Sequence, residues 1–579
     1  MKKKILIIAI IIVILVATVV YVYTRKNMFI LTGEKVDDWK YDDKIAVDYD
    51  KGMSLNSGST GILDSIMPSM DMAESITSTS NPTGYIGYST GGAKNVENFR
   101  ENIKNNYFPI STDITYNGIF YDYSFDTGNT QKSEELFSPS YSIATSKDPI
   151  SNELEYYMSV GLNSNIKESD FARKKLNLVV VLDISGSMSS SFNSYYYDGE
   201  KDDKEAGKSK MKLASESLNI LIEQLKEDDR LGIVLFDDEA YLAKEMSLVG
   251  NTDIDAIKKH ILEIEARGGT NFEAGYKEGT KLFRELGDQE DYEDRIIVIT
   301  DAMPNYGETS DEGLLRYVNN NAEEGIHTTF IGVGVDFNTK LIEQIGTIRG
   351  ANYYSVHSAN EFKETMKEEF EFMVTPIVFD LNLKFESDAY EIEAVYGTDA
   401  ENKSKGNIMH VNTLFPSRSN NQGEVKGGIV LLKLNKKYNE DGKITLRVDY
   451  TDRNGKYYTN SQEVKFENAN KEKYDNTGIR KAIVLTRYVN VLKNWIMYER
   501  SDENRFLIEP QKGIIDCNCT PDEVRKILGE HERTSVKLEV SRKYQDIFEI
   551  MKDYIKVEMK EVNDDTLSQE IDILNMLIK

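Results

Sequence analysis

Between Lys174 and Val374 short apolar runs alternate with amphipathic stretches, and this alternation constrains the chain more than any other feature. The runs read LNLVVVLDIS, LGIVLFDD, RIIVIT and TTFIGVGV, with MKLASESLNILIEQL between the first two. Unbroken apolar runs suit strands buried on both faces, and helices between successive strands impose parallel crossovers. A doubly wound, mostly parallel α/β sheet is expected over 174–374. In its first helix Ala214, Leu218, Leu221, Ile222 and Leu225 fall at i, i+4, i+7, i+8 and i+11, a single stripe turned to the sheet.

At 579 residues the chain exceeds what one core can hold, so other domains flank this one. Residues 94–173 carry a short helical pattern, NVENFRENIKNNY, and then YNGIFYDYSF, PSYSIAT and EYYMSVGLN. Residues 375–470 carry IVFDLNLKFES, YEIEAVYG, GGIVLLKLN and KITLRVDYTD. Both stretches are expected to form sheet, a β-rich domain in two parts, with a hairpin-like loop at Lys436–Gly442 joining the last two runs. Residues 471–579 read as helical. Thr520-Pro521-Asp522-Glu523 is a capping box with proline at the first helical position, and Ile547, Met551, Tyr554 and Ile555 form a stripe expected to pack on the body. Residues 27–93 read as a flexible stalk, because Lys51–Gly92 is rich in Ser, Gly, Thr and Met without sustained period. Within it Gly87-Tyr88-Ser89-Thr90-Gly91 matches the G-x-S-x-G of serine hydrolases. No buried strand precedes it and no helix pattern follows, so the match is taken as chance.

Residues 1–26 bear on location. Lys2, Lys3 and Lys4 precede an uncharged run, Ile5–Tyr23, long enough as a helix to cross about 30 Å of hydrocarbon. A cleaved signal peptide is the alternative, but no small-x-small site and no lipid-accepting cysteine follow. Only Arg25 and Lys26 balance the leading lysines, so the positive-inside rule places the body outside the cell on a single-pass signal anchor. A net charge of −27 excludes nucleic acid and anionic lipid as partners of that body. Cys517 and Cys519 are the only cysteines, and the five histidines are scattered without HExxH, which argues against a disulfide framework and a zinc hydrolase.

At the end of the first central run stands Asp183-Ile184-Ser185-Gly186-Ser187. The carboxyl ends of parallel strands open on the crevice where such sheets place ligands. Asp183, Ser185 and Ser187 alternate, so one loop can turn three oxygens to one spot. Thr270 in RGGTNFEAG and Asp301 in VITDAMPN add oxygen donors from two later loops. Hard divalent cations take such oxygen ligands, and Mg2+ keeps several waters beside a few protein groups. Singly, these residues serve as helix caps or turn formers; their joint order and strand context favour a metal.

DISGS, the glycine-preceded Thr270 and TDAMPN together resemble the metal-ion-dependent adhesion site of von Willebrand factor A domains. The flanking β regions are similar, more weakly, to bacterial calcium-activated chloride-channel homologues and to inter-alpha-trypsin inhibitor heavy chains. The resemblance implies a doubly wound sheet with the site on top. It implies that Ser185, Ser187 and Thr270 coordinate the ion, Mg2+ or else Mn2+ or Ca2+, while Asp183 and Asp301 act directly or through water. It leaves one coordination position for an acidic group of a protein partner. Ala302 departs from the family, which commonly has glycine there.

Ser189–Lys208, SSSFNSYYYDGEKDDKEAGK, is an insertion expected beside the ion. Tyr195, Tyr196 and Tyr197 offer contact area to a partner, and Asp198, Asp202 or Asp203 can fold back onto the open position. No histidine, cysteine or lysine of the site is placed as base or nucleophile, so the expected protein is a non-enzymatic, membrane-anchored adhesion module. The alternative is a metal-independent scaffold for envelope or membrane complexes.

Overall fold

The computed structural model describes residues 35–42, 84–128, 135–198, 208–284, 286, 291–398, 408–437, 442–466, 471–500 and 531–579. The apolar run Ile5–Tyr23, the capping box Thr520–Glu523, both cysteines, Asp202 and Asp203 lie outside them. Among the described residues no helix is long and apolar enough to cross a membrane.

The alternating region folds as expected. Its seven-stranded sheet runs Gly92–Ala93, Asn352–Val356, His327–Val333, Tyr292–Thr300, Lys175–Asp183, Arg230–Phe236 and Ala240–Leu248, and only the last strand is antiparallel to its neighbour. Alternation along the central strand feeds two cores. Leu176, Leu178, Val180 and Leu182 face helices Lys210–Ile222, Ile254–Leu262 and Ala359–Met373. Val179 and Val181 face helices Phe272–Arg284, Asp311–Glu323 and Thr339–Gly346. The stripe Ala214, Leu218, Leu221 and Ile222 is buried, with Leu225 packed at its margin.

The two β-rich stretches merge into a single sandwich. One sheet has six strands, in the order Tyr457–Phe466, Gly442–Asp452, Val378–Ser387, Ile408–Ser417, Tyr85–Thr90 and Asn163–Lys167. The other has five, in the order Tyr390–Tyr396, Ile429–Lys436, Leu154–Gly161, Ser140–Lys147 and Lys473–Tyr474. Between them lies an apolar core that includes Tyr88, Met158, Val160, Leu383, Val411, Leu432 and Leu446. The outer face of the smaller sheet is covered by helices Thr477–Arg500, Arg542–Val562 and Ser568–Ile578, which bury Trp495, Phe548, Met551, Ile555 and Leu574. The stripe Ile547, Met551, Tyr554 and Ile555 therefore packs on the body.

Three expectations are corrected. Tyr85–Thr90 is no stalk but an interior strand, pairing with Ile408–Ser417 and Asn163–Lys167. Its Ile86 and Tyr88 alternate into the interior, while the surrounding Gly and Ser disguise the pattern. Gly87 is needed there, because a Cβ would lie 2.3 Å from Val425 Cγ1. Gly87 to Thr90 of the G-x-S-x-G match lie in this paired strand rather than on a strand-to-helix turn, so no nucleophile elbow forms. YNGIFY is a helix, Tyr116–Tyr121, capped by Thr115, whose hydroxyl accepts from Gly118 N. Finally, the runs on either side of 436–442 enter opposite sheets, so no hairpin joins them.

Replacing Tyr88, fully buried with its hydroxyl donating to Leu136 O at 2.8 Å, by alanine should cost about 3–5 kcal/mol in urea unfolding. An unchanged midpoint would return this segment to a stalk.

Candidate metal centre

The central strand delivers Asp183 to the carboxyl edge of the sheet, fully buried. One carboxylate oxygen accepts from Ser185 N at 2.8 Å and the other from Thr300 Oγ1 at 2.5 Å. The first contact curls the chain so that the Ser185 and Ser187 hydroxyls come within 3.0 Å of each other. Gly186 N donates to Gly268 O at 2.9 Å, tying this loop to the one that carries Thr270. Asn305 ties in the third loop: its Oδ1 accepts from Thr270 N at 2.8 Å, and Thr270 O accepts from Asn305 N and Tyr306 N. Asp301, buried beside these loops, is anchored through its own carbonyl by Asn338 N. Asp183, Ser185, Ser187, Thr270 and Asp301 are thus brought to three laced loops at one end of the sheet.

Ala302 adopts φ 56°, the left-handed conformation that glycine tolerates and a Cβ resists. Its N–H donates to Thr300 Oγ1, the hydroxyl that also holds Asp183. The departure from glycine leaves the oxygen set intact at a conformational cost.

The sequence missed Lys210 and Asp336. Lys210, at the start of the first helix, is fully buried with Nζ 3.0 Å from Asp301 Oδ2 and 2.6 Å from Asp336 Oδ1. A lysine does stand in the site. It cannot serve as a base, because burial pulls its pKa down but Asp301 and Asp336 outweigh that and leave it raised. Asp336 follows the apolar run TTFIGVGV as Asp183 and Asp301 follow theirs, and that position was its signal.

Lys210 does not balance the site. Asp183 forms no ion pair among the described residues, and its pKa is pushed up to about 7 by burial and by Asp301. Asp301 is raised too, by burial first, and its Oδ1 is buried without a hydrogen-bond partner. A buried, unpaired carboxylate oxygen costs free energy until a cation meets it. Among the described residues no three His, Cys, Asp or Glu groups gather to hold a metal, so the set on offer is mixed: two hydroxyls close together, a threonine, and two carboxylates short of positive charge. It suits a hard divalent cation better than zinc.

The insertion contacts the chain itself. Tyr195 is buried and donates to Asn102 Oδ1 at 2.8 Å, Tyr196 N donates to Asp336 Oδ2, and Tyr197 donates to Glu532. Asp198 accepts from Ser535 N at 2.9 Å. Tyr195 is therefore not presented to a partner, and Asp198 is engaged by the C-terminal region rather than by the site.

Two predictions follow from these groups. A folded pKa above the ordinary 3.8 makes the Asp183 contribution to stability full below about pH 4 and lost as pH rises toward 7. In chelator the unfolding free energy from urea titration should fall across that window by an amount on the order of a few kcal/mol, and Asp183→Asn should flatten the fall. Ala302→Gly should stabilise the protein by up to about 1 kcal/mol, read as a higher melting temperature.

Residues 177–368 match the family model of the von Willebrand factor type A domain. The YfbK protein of Escherichia coli K12 is 25% identical over 215 residues, 36% of this chain and 33% of that one. Inter-alpha-trypsin inhibitor heavy chain H3 of Bos taurus is 22% identical over 219 residues, 37% of this chain and 22% of that one. The matched stretch thus spans a third or less of each of these curated relatives. Among solved structures, a von Willebrand factor type A protein from Catenulispora acidiphila aligns at a TM-score of 0.38 and 12% identity, covering 72% of this chain and 97% of that one.

Proposed function

With a von Willebrand factor type A domain at residues 177–368 as its centre, this chain, we propose, is a non-enzymatic adhesion module that binds protein partners through a divalent cation. Residues 1–26 anchor it in the membrane with the body outside. The observation that carries the reading is the buried carboxylate pair, Asp183 and Asp301, short of positive charge beside the Ser185 and Ser187 hydroxyls.

Ser185, Ser187, Thr270, Asp183 and Asp301 would hold the ion, Mg2+ or else Mn2+ or Ca2+. Bound there, the cation supplies positive charge and an exchangeable coordination position for a partner's carboxylate. The chain's own groups do the rest. Asp183 fixes the serine loop through Ser185 N and is itself held by Thr300. Asn305 holds the Thr270 loop against the Asp301 loop, so the donors are set before any ligand arrives. Lys210 pairs with Asp301 Oδ2 and keeps Asp336 in place. Lys210, its pKa lowered by burial but raised overall by Asp301 and Asp336, serves as a fixed positive charge rather than as a base.

A second reading, a metal-independent scaffold, draws on the same lysine, since Lys210 already gives the aspartates one internal cation. Calorimetric titration of Mn2+ into residues 27–579 separates the two. Saturable binding that Asp183→Ala with Asp301→Ala abolishes is expected; a flat titration of the folded wild type would favour the scaffold.

A further inference from the structure

The last described stretch, 531–579, opens with a segment without helix, the strap of residues 531–540, whose first residues lie against the loops at the carboxyl edge of the seven-stranded sheet. It is fastened to the loops that build the candidate metal centre. His531 Nε2 donates to Thr309 O at 2.6 Å, on the loop after Asp301. Arg533 donates to Phe337 O at 3.1 Å, on the loop carrying Asp336, and to the Tyr195 hydroxyl at 3.2 Å. Farther along, Phe108 N donates to Val536 O and Leu538 N to Asn106 O, joining the strap to the helical layer. Between His531 and Arg533 stands Glu532, half-buried. Its Oε1 accepts from Asn305 Nδ2 at 2.9 Å and from the Tyr197 hydroxyl. The same Asn305 accepts from Thr270 N, so one side chain separates the Glu532 carboxylate from the Thr270 backbone. Tyr196 and Tyr197 lie in the field of both Asp301 and Glu532, which with burial raise both phenols. Glu532 thus lies on the same face of the loops as Asp301, whose own carboxylate is paired with Lys210, and a divalent cation bound beside Asp301 would draw this second carboxylate toward it.

We propose that Glu532 is the chain's own acidic ligand for the metal centre, so that the strap 531–540 engages the ion in the resting protein and a partner's carboxylate binds by displacing it. This rests on the metal-binding reading above. The ion then has two consequences: it closes its own open position, and it couples the helical C-terminal region to the sheet. Partner binding frees the strap at its Glu532 end, and contacts farther along, at Ser535 and Leu538, loosen with it.

Two measurements on the full chain in detergent test this, with Mn2+ for affinity and Mg2+ for amide exchange. Glu532→Gln keeps an oxygen for Asn305 and Tyr197 and so preserves the fold while removing the charge. The variant should lose about tenfold or more in Mn2+ affinity. In the wild type, Mg2+ should slow hydrogen exchange at the Ser535 and Leu538 amides, and in Glu532→Gln it should not. Equal Mn2+ affinity in both proteins, with the same Mg2+ protection of the strap, would overturn the role of Glu532 and leave the metal site standing. A wild type that binds no Mn2+ would overturn both.

Discussion

Strands covered on both faces leave a parallel sheet only its ends for polar chemistry, and in this domain the carboxyl end carries buried aspartates that the interior would otherwise reject. Asp183, Asp301 and Asp336 each stand at or just past the end of a strand and each is buried. The Lys210 ammonium makes this tolerable for two of them, reaching Asp301 and Asp336 at once from the start of the first helix. The helix is capped just before Lys210, at Ser209, whose hydroxyl accepts from Lys212 N, and Asp336 in turn holds the inserted tyrosine loop through Tyr196 N. Asp183, in no ion pair among the described residues, is held instead by hydrogen bonds from Ser185 N and Thr300. The loops therefore have their shape from charge that the apolar sheet cannot dilute.

Much of this domain was legible because its signals are local. Strands of continuous Val, Ile and Leu, and a helix stripe from Ala214 to Ile222, follow from period alone. The serine loop and Asp301 were visible because strand ends announce themselves. Lys210 was not: beside Ser209 and Lys212 it reads as a solvated helix start, and only the tertiary fold reveals that it points inward. Glu532 and Asn305 are joined across 227 positions, and no local pattern registers such a contact. The sandwich failed for a related reason. Tyr85–Thr90 pairs with strands far along the chain, and its Gly, Ser and Thr, of which Gly87 is needed for the close approach of Val425, look like linker composition. In YNGIFY the capping threonine outweighed the β-forming aromatics.

The sandwich also explains why the chain visits its domains out of order. Tyr85–Thr90 lies in the sandwich and Gly92–Ala93 in the seven-stranded sheet, so one residue, Gly91, passes between them. The chain re-enters the sandwich at Ser140–Lys147, passes back to the seven-stranded sheet between Lys167 and Lys175, and leaves it again at 374–377, where Ile377 N donates to Leu414 O and Arg295 reaches Val374 O. Arg453 of the sandwich donates to Pro376 O at the same junction. Several passages of the chain between the two bodies, those at Gly91 and at 374–377 pinned by hydrogen bonds to Thr413 O and Leu414 O, fix the orientation of one domain on the other more firmly than a single linker does.

The ends of the seven-stranded sheet are also closed sideways. Along the outer strand Ala240–Leu248, residues 35–42 lay down bridges at Trp39 with Lys244 and at Val36 with Thr252, and Lys40 N donates to Ala243 O. At the opposite margin Gly92–Ala93 pairs with Asn352–Val356, and beyond it the Asn95 side chain takes over, meeting the backbone and hydroxyl of Ser355 in place of a third strand residue. Open margins of this kind invite a foreign chain to add itself as another strand. Here both are partly capped by segments of the same polypeptide, so the addition of a foreign strand at either margin is disfavoured.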